Sequence, residues 1–265
     1  MNEKQRQLIG KLAANDFKAR YSGSYLGFVW ALVQPVVTVV LYYFVFEVIF
    51  DNRSQRLASG IDAPYVLWLT AGLVPWFYFN EMVMQGMQAF LQYHYLVKKV
   101  VFEIRVLPLV KLIASSFVHV FFLLVLLLMY FLYGQKPDLY LLQLPYYSLC
   151  LFFFVLGLSY ITSSVVVFFR DLTQIFNILL QIGMWATPIL WDLSFIKGKW
   201  VPVRFILKLN PVYYVVNGYR EALFDKRWFW QDVPMSLYFW GVSLVVFLLG
   251  RLIYKRLKPH LADVL

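Results

Sequence analysis

Cysteine is almost absent from this sequence, which has a single one, Cys150, among 265 residues. Because Cys150 has no partner within the chain, an internal disulfide and a cysteine-based metal site are both excluded. The sequence also lacks a Gly-x-x-x-x-Gly-Lys-[Ser/Thr] segment, the loop that cradles nucleotide phosphates in ATPases. If ATP drives this protein, another subunit must hydrolyse it.

Charged residues are scarce, at 14% of the chain, whereas 62% of residues are hydrophobic and 20% are aromatic. The mean hydropathy of +0.67 indicates far more apolar surface than a soluble domain of this length can bury. The short alternating segments of a membrane barrel are absent. The composition therefore predicts an all-α integral membrane protein.

Acidic residues are fewer than basic ones, and the formal net charge is +10. The basic residues stand beside apolar runs instead of forming a separate basic domain, which argues against nucleic acid as a partner. Anionic lipid headgroups or an anionic substrate fit this distribution better.

The hydropathy pattern predicts one domain, residues 1–265, with both termini in the cytoplasm. An amphipathic interfacial helix occupies 1–27, where basic residues alternate with Leu8, Ile9, Leu12 and Phe17. Spans one to five lie within 28–191, and span six with a basic tail fills 235–265. The expected spans are 28–50, a kinked helix from Pro64 through Pro75, 106–133, 141–169, 172–191 and 235–250.

Residues 192–234 are too apolar for an ordinary outer loop and too polar for a span. Two helix-like pieces meet at Asn210-Pro211, which predicts a re-entrant pair of half-helices. Seven basic residues would then lie outside, against the positive-inside trend: Lys197, Lys199, Arg204, Lys208, Arg220, Lys226 and Arg227.

Two short inner connections carry charge between apolar spans. The first runs from Leu96 to Pro108 and alternates charged residues with apolar ones, so it is either a docking surface for a partner or an interfacial helix with snorkelling lysines. The second contains Arg170 and Asp171, and its alternative is a solvated turn in which Asp171 caps the next helix.

Two ionisable residues inside predicted spans, Glu81 and His119, are candidates for a function. Glu81 is a functional candidate, although it can also lie near an interface and pair with a neighbour. His119 has no carboxylate on adjacent turns, so a hydrogen-bonded packing role is expected.

Several short motifs, each weak alone, together resemble the ABC-2-type export permeases for O-antigen, capsule and teichoic-acid polymers. They are Phe17-Lys-x-Arg-Tyr, Leu26-Gly-x-x-Trp-Ala with a following Pro35, Gly72-x-x-Pro-Trp-Phe, Phe168-Phe-Arg-Asp, Trp185-x-Thr-Pro-Ile and Leu209-Asn-Pro-x-Tyr. The resemblance implies a multi-pass permease of the bacterial cytoplasmic membrane. Such a permease forms a homodimer, binds two ATPase subunits that hold ATP and Mg²⁺, and exports a lipid-linked polysaccharide.

Three sets of site residues follow, with no catalytic residue, metal or cofactor on this chain. Aromatic rings suit sugar faces, although lipid-facing packing is the alternative for many of them. The predicted substrate channel comprises Trp30, Tyr42, Tyr43, Phe46, Trp76, Phe79, Trp185 and Trp191. The predicted ATPase-coupling residues are Val97, Lys98, Lys99, Phe102, Glu103, Arg105, Arg170 and Asp171. The predicted external gate comprises Asn210, Pro211, Tyr213 and Tyr214.

Two other function classes compete with export. An ion- or proton-coupled secondary transporter would use broken helices and buried charges such as Glu81 and His119. A membrane-embedded transferase would need clustered acids, bases or metal ligands, and the spans offer only isolated titratable groups.

Overall fold

The computed structural model describes residues 3–21, 25, 27, 29–50, 54–56, 62–97 and 103–265. Almost all of them are helical. The α-helices are α1 Glu3–Tyr21, α2 Val29–Tyr43, α3 Tyr65–Met87, α4 Ala89–Gln92, α5 His94–Val97, α6 Val106–Leu132, α7 Gln143–Val166, α8 Leu172–Ala186, α9 Val201–Lys208, α10 Pro211–Arg220 and α11 Val233–Val264. The all-α membrane class is confirmed.

Two short strands precede the helix that forms the centre of the fold. Strand β1 (Ser54–Arg56) pairs antiparallel with β2 (Asp62–Pro64), and Gln55 lies opposite Ala63. Pro64 then precedes α3, whose 23 residues run through Pro75 without a break. Most of α3 is buried against α6, α7 and α10.

Small residues allow the helices to approach closely. A Cβ atom on Gly157 of α7 would lie 2.7 Å from the Phe247 backbone of α11. A Cβ on Gly86 of α3 would meet the Ser159 hydroxyl at 2.1 Å. These glycines therefore fix the spacing of α7 against α11 and of α3 against α7.

Among the described residues, four helices are long and apolar enough to cross a membrane: Val29–Ile49, Val106–Leu132, Leu139–Val166 and Val233–Leu261. The first includes a π-helical turn, Phe44–Ile49, after α2. The helix α3 has the length, but polar residues such as Asn80 and Glu81 lower its hydropathy. Six crossings therefore stay a prediction.

Two predicted boundaries were wrong. The fifth helix ends at Ala186 and not at Trp191, because Thr187 precedes Pro188 and adopts an extended backbone. Its 15 residues span roughly 22 Å, less than a typical hydrocarbon core. The last helix has 32 residues and continues through the basic tail to Val264 instead of ending near Gly250.

The predicted break at Asn210-Pro211 is present between two short helices. The helix α9 ends at Lys208, and α10 begins at Pro211. The Asn210 side chain accepts a hydrogen bond from the Val212 amide at 3.0 Å and so caps α10. The re-entrant position of α9 and α10 in a bilayer stays a prediction.

Candidate functional site

A cavity of about 890 Å³ lies between α1, α2, α3 and α6. Its wall combines aromatic rings with a charged floor. The aromatic residues on it are Trp30, Tyr42, Trp76, Phe77, Tyr78 and Phe122, and the polar ones include Asp16, Arg20, Glu81, Gln85, Gln92, Lys111, Ser115 and His119. Such a wall can hold a ligand that has both ring faces and polar groups.

Three of the predicted channel residues meet at this cavity. Trp30 and Tyr42 reach it from α2, and Trp76 reaches it from α3. Gly183 of α8 makes room for Trp76, since a Cβ there would lie 3.0 Å from the indole ring. The helix α2 thus carries one side of the cavity, and α3 carries the other.

The other predicted channel residues lie beside the cavity or away from it. Phe79 packs on Trp76 at 5.4 Å and on Phe154 at 6.4 Å between ring centroids, and Phe46 packs on Tyr65 at 5.4 Å. The rings of Tyr43 and Trp185 are exposed on the outer surface of the chain. The Trp191 indole donates a hydrogen bond to the Trp185 carbonyl at 3.2 Å.

The charged floor joins the N-terminal helix to the membrane helices. Arg20 of α1 donates to Asp16 at 2.9 Å and to Glu81 of α3 at 2.7 Å. Lys111 of α6 pairs with Asp16, and Tyr93 donates to the same carboxylate at 2.8 Å. Two basic and two acidic side chains therefore meet in one cluster, in which Lys111 and Asp16 are buried and Arg20 and Glu81 are partly exposed, and which we call the α1 cluster.

The protonation of Asp16 is controlled by this cluster. Burial alone would raise the pKa of Asp16, but the hydrogen bond from Lys111 and the charges of Arg20 and Lys111 more than offset it. The pKa is lowered from its ordinary value of 3.8. Asp16 is therefore a carboxylate at neutral pH.

His119 is held by packing and hydrogen bonds, in agreement with the sequence-based expectation. Its ring stacks on Tyr78 with centroids 3.9 Å apart. Its Nε2 lies 3.0 Å from the Ser148 hydroxyl and 3.1 Å from the Tyr219 hydroxyl. This network ties α3, α6, α7 and α10 together.

Two of the four predicted gate residues line a second cavity of about 470 Å³ around α10, whereas Asn210 and Pro211 are not part of its wall. Tyr213 and Tyr214 line it, and the Asn210 amide donates to the Thr187 hydroxyl at 2.7 Å. Charged residues of both signs surround it: Asp192, Arg204, Lys208, Arg220, Glu221, Asp225, Arg227 and Asp232.

Arg220 is a functional candidate that sequence reasoning treated only as one of several outer basic residues. It is buried, and its guanidinium donates to the carbonyls of Pro188 at 2.7 Å and Ile189 at 2.6 Å. The guanidinium carbon also lies 3.4 Å from the Trp68 ring centroid. Among the described residues, no carboxylate lies within ion-pair distance of it. No signal in the sequence separates Arg220 from the other predicted outer basic residues, because its partners are distant in sequence.

The two inner connections lie at the same end of the molecule. Val97 and Ile104 are buried with Val167, Tyr254 and Leu261 in one apolar cluster. Glu103 and Arg105 are exposed and pair at 3.1 Å. Lys98, Lys99 and Phe102 lie outside the described residues.

The second connection leaves its charges at the surface. Arg170 and Asp171 are exposed, and Asp171 makes no side-chain cap to α8. The neighbouring Thr173 accepts a hydrogen bond from Gln88 at 3.1 Å, which fixes the turn to the end of α3. The capping role is thus not observed.

Within the part of the chain that the structure describes, no group of three or more His, Cys, Asp or Glu residues could hold a metal ion. The observed sites therefore consist of aromatic rings, ion pairs and hydrogen-bonding groups.

The chain is similar to several O-antigen export permeases. Two O-antigen export system permease proteins RfbA from Klebsiella pneumoniae are each 27% identical over 260 residues, covering 97% of this chain and 95% of theirs. One from Myxococcus xanthus is 29% identical over 258 residues, with the same coverage. The chain is a multi-pass protein of the bacterial inner membrane. Since the profile of the ABC-2 type transporter family matches residues 7–224, most of its length, the protein belongs to that family.

Proposed function

We propose that this chain is the membrane subunit of an ATP-driven exporter that moves a lipid-linked polysaccharide across the cytoplasmic membrane. The likeness to O-antigen export permeases over 97% of the chain supports this substrate class. The observation that carries the proposal is the 890 Å³ cavity, where Trp30, Tyr42 and Trp76 offer ring faces to sugars. A polymer can slide past such rings because each contact is weak and repeats.

The ATP is hydrolysed by a separate subunit in this proposal. Two ATPase subunits dock at the end of the molecule that carries the exposed Glu103-Arg105 pair and the Arg170-Asp171 turn. These connections join membrane helices directly. A movement of the docked ATPase subunits would therefore be transmitted through them to α6 and α8. ATP and Mg²⁺ belong to the partner, and two copies of this chain form the transport unit.

The proposed topology has six crossings with both termini in the cytoplasm. The basic residues of α1 and of the α11 tail support this orientation. The half-helices α9 and α10 then lie at the outer side, where Asn210, Pro211, Tyr213 and Tyr214 close the path when no polymer is present.

The features that suggested a secondary transporter have structural partners here. Glu81 pairs with Arg20, and His119 bonds Ser148 and Tyr219. An ion pair and a hydrogen-bonded histidine of this kind contribute to helix packing and need no proton or ion flux.

Purification of the tagged chain from its own membranes tests the proposal. We expect an ATPase with a phosphate-binding loop to co-purify, and proteoliposomes of the complex to move a lipid-linked glycan only with ATP. Transport by the chain alone, driven by an ion gradient, would instead support the secondary transporter.

A further inference from the structure

A third cavity, of about 420 Å³, lies at the basic end of the molecule between α7 and α11. It is separate from the aromatic cavity and from the gate. The residues that line it are Glu103, Arg105, Tyr160, Phe247, Arg251, Tyr254, Lys255 and Lys258. We call its aromatic residues, Tyr160, Phe247 and Tyr254, the floor of the cavity, and its basic residues on α11 the rim.

The floor is built from three rings, of which the central one, Tyr160, contacts the other two. Tyr160 of α7 packs on Phe247 at 6.0 Å and on Tyr254 at 5.9 Å between centroids. The Tyr160 hydroxyl donates to the Arg105 carbonyl at 3.2 Å, which ties the floor to the start of α6. The cavity is therefore held by three helices.

The rim has an excess of positive charge. Arg251, Lys255 and Lys258 follow one another at i, i+4 and i+7 along α11, so they share one face, and all three are exposed. Among the described residues of the wall, the one carboxylate is Glu103, which is paired with Arg105 at 3.1 and 3.2 Å. Three cations of α11 thus line a cavity in which the described anion already has a cationic partner.

We propose that this cavity binds the headgroup of an anionic phospholipid from the leaflet at this end of the molecule. Basic pockets between membrane helices attract anionic headgroups, and long Lys and Arg side chains reach the headgroup level while their stems stay on apolar surface. Towards its middle, α11 carries exposed Leu244, Val245 and Leu248, along which acyl chains can lie.

A lipid fits this cavity better than an acidic surface of the ATPase partner does. The floor is aromatic and lies between two membrane helices, so a phosphate reaches it with its acyl chains already in the bilayer. A folded acidic surface would have to place a carboxylate into a recess of only about 420 Å³.

Lipid binding by the purified full-length chain tests this site. Affinity for short-chain phosphatidylglycerol and for phosphatidylcholine is measured by native mass spectrometry in detergent. The variants are Arg251→Gln/Lys255→Gln/Lys258→Gln and the matched control Arg256→Gln, whose exposed side chain lies on α11 outside the cavity wall. The triple variant should bind phosphatidylglycerol at least ~10-fold more weakly, and Arg256→Gln should bind it as the native protein does.

The charge-preserving variant Arg251→Lys/Lys255→Arg/Lys258→Arg should retain binding, which separates lost charge from lost folding. Four results would overturn the site: equal loss in Arg256→Gln, unchanged affinity in the triple variant, no preference over phosphatidylcholine, or equally tight binding of free glycerol phosphate. Unchanged lipid affinity with lost ATPase assembly would assign the rim to the partner. None of these measurements depends on export.

Discussion

The α1 cluster shows how single residues attach an interfacial helix to membrane spans. Asp16 bonds Arg20, Tyr93 and Lys111, while Arg20 reaches Glu81. Because Lys111 and Asp16 are both buried, each charge depends on the other for its compensation. Removing one partner leaves a buried charge unpaired.

We expect Asp16→Asn to destabilise the protein by about 3–5 kcal/mol, because Lys111 loses its counter-charge in a buried site. Thermal unfolding in detergent measures the change. Glu103→Gln is the control, since its pair with Arg105 is exposed and should contribute at most about 1 kcal/mol. Equal unfolding temperatures for the two variants would contradict a structural role for the α1 cluster.

The same carboxylate gives this attachment a pH dependence. A group whose pKa is lowered on folding contributes stability above its ordinary value, here 3.8, and loses it as the pH falls through the lowered value. The contribution of Asp16 to the attachment of α1 should therefore be present at neutral pH and be lost as the pH falls below about 4. Protease cleavage of α1 against pH measures this, and Asp16→Asn should remove the acid transition.

Arg220 is predicted to hold the outer half-helix in its resting position. Arg220→Ala leaves the buried carbonyls of Pro188 and Ile189 without donors, at roughly 1–3 kcal/mol each. Arg220→Lys should retain only part of the stability that Arg220→Ala loses. An ammonium group cannot bond both carbonyls and stack on Trp68, as a planar guanidinium does. Unfolding temperature and resting accessibility of α10 report the effect, and exposed Arg227→Ala serves as control.

At the scale of elements, α9 and α10 form the proposed gate. In a variant without Cys150, Val216→Cys on the buried face of α10 should react slowly with an outside thiol reagent at rest and faster during transport. Leu209→Cys, at an exposed position between the half-helices, should react at one rate throughout. Constant reactivity of Val216→Cys would show that α10 does not move.

The inner connections are predicted to couple the ATPase to the spans. Charge reversal at Lys98, Lys99 and Glu103 should reduce partner assembly or stimulated ATP turnover while membrane insertion stays normal. Reversal of exposed Lys136, which lies on the turn after α6, is the matched control. Normal assembly and turnover in the triple variant would remove this connection from the mechanism.

Element positions were largely predictable, and element ends were less so. The third span was predicted at 106–133, and α6 covers Val106–Leu132. This prediction was accurate because a long apolar run with basic flanks is typical of a membrane-spanning helix. The fifth helix was predicted too long because hydropathy does not register the restriction that Pro188 places on Thr187. The last was predicted too short because Tyr254 and Leu261 pack on Val97 and Val167, contacts invisible in sequence.

For the molecule as a whole, the family and the presence of an aromatic-lined cavity were predictable from the sequence. Which individual rings line that cavity was not predictable. Periodicity cannot distinguish Tyr42, which lines the cavity, from the adjacent Tyr43, which is exposed. Arg220 could not be distinguished from the other predicted outer cations, because its carbonyl partners lie 31, 32 and 152 residues away in sequence. Tertiary packing decides both cases.

The most direct test of the export proposal compares two variants of α2 and one of the turn after it in reconstituted complexes. Trp30→Ala and Tyr42→Ala remove cavity rings, whereas Phe44→Ala removes an exposed ring on the turn that follows α2, away from the cavity. ATP hydrolysis and glycan export are measured together in proteoliposomes. The proposal predicts that both cavity variants export several-fold less than Phe44→Ala while all three hydrolyse ATP alike. Equal export by all three would contradict a sugar path through this cavity.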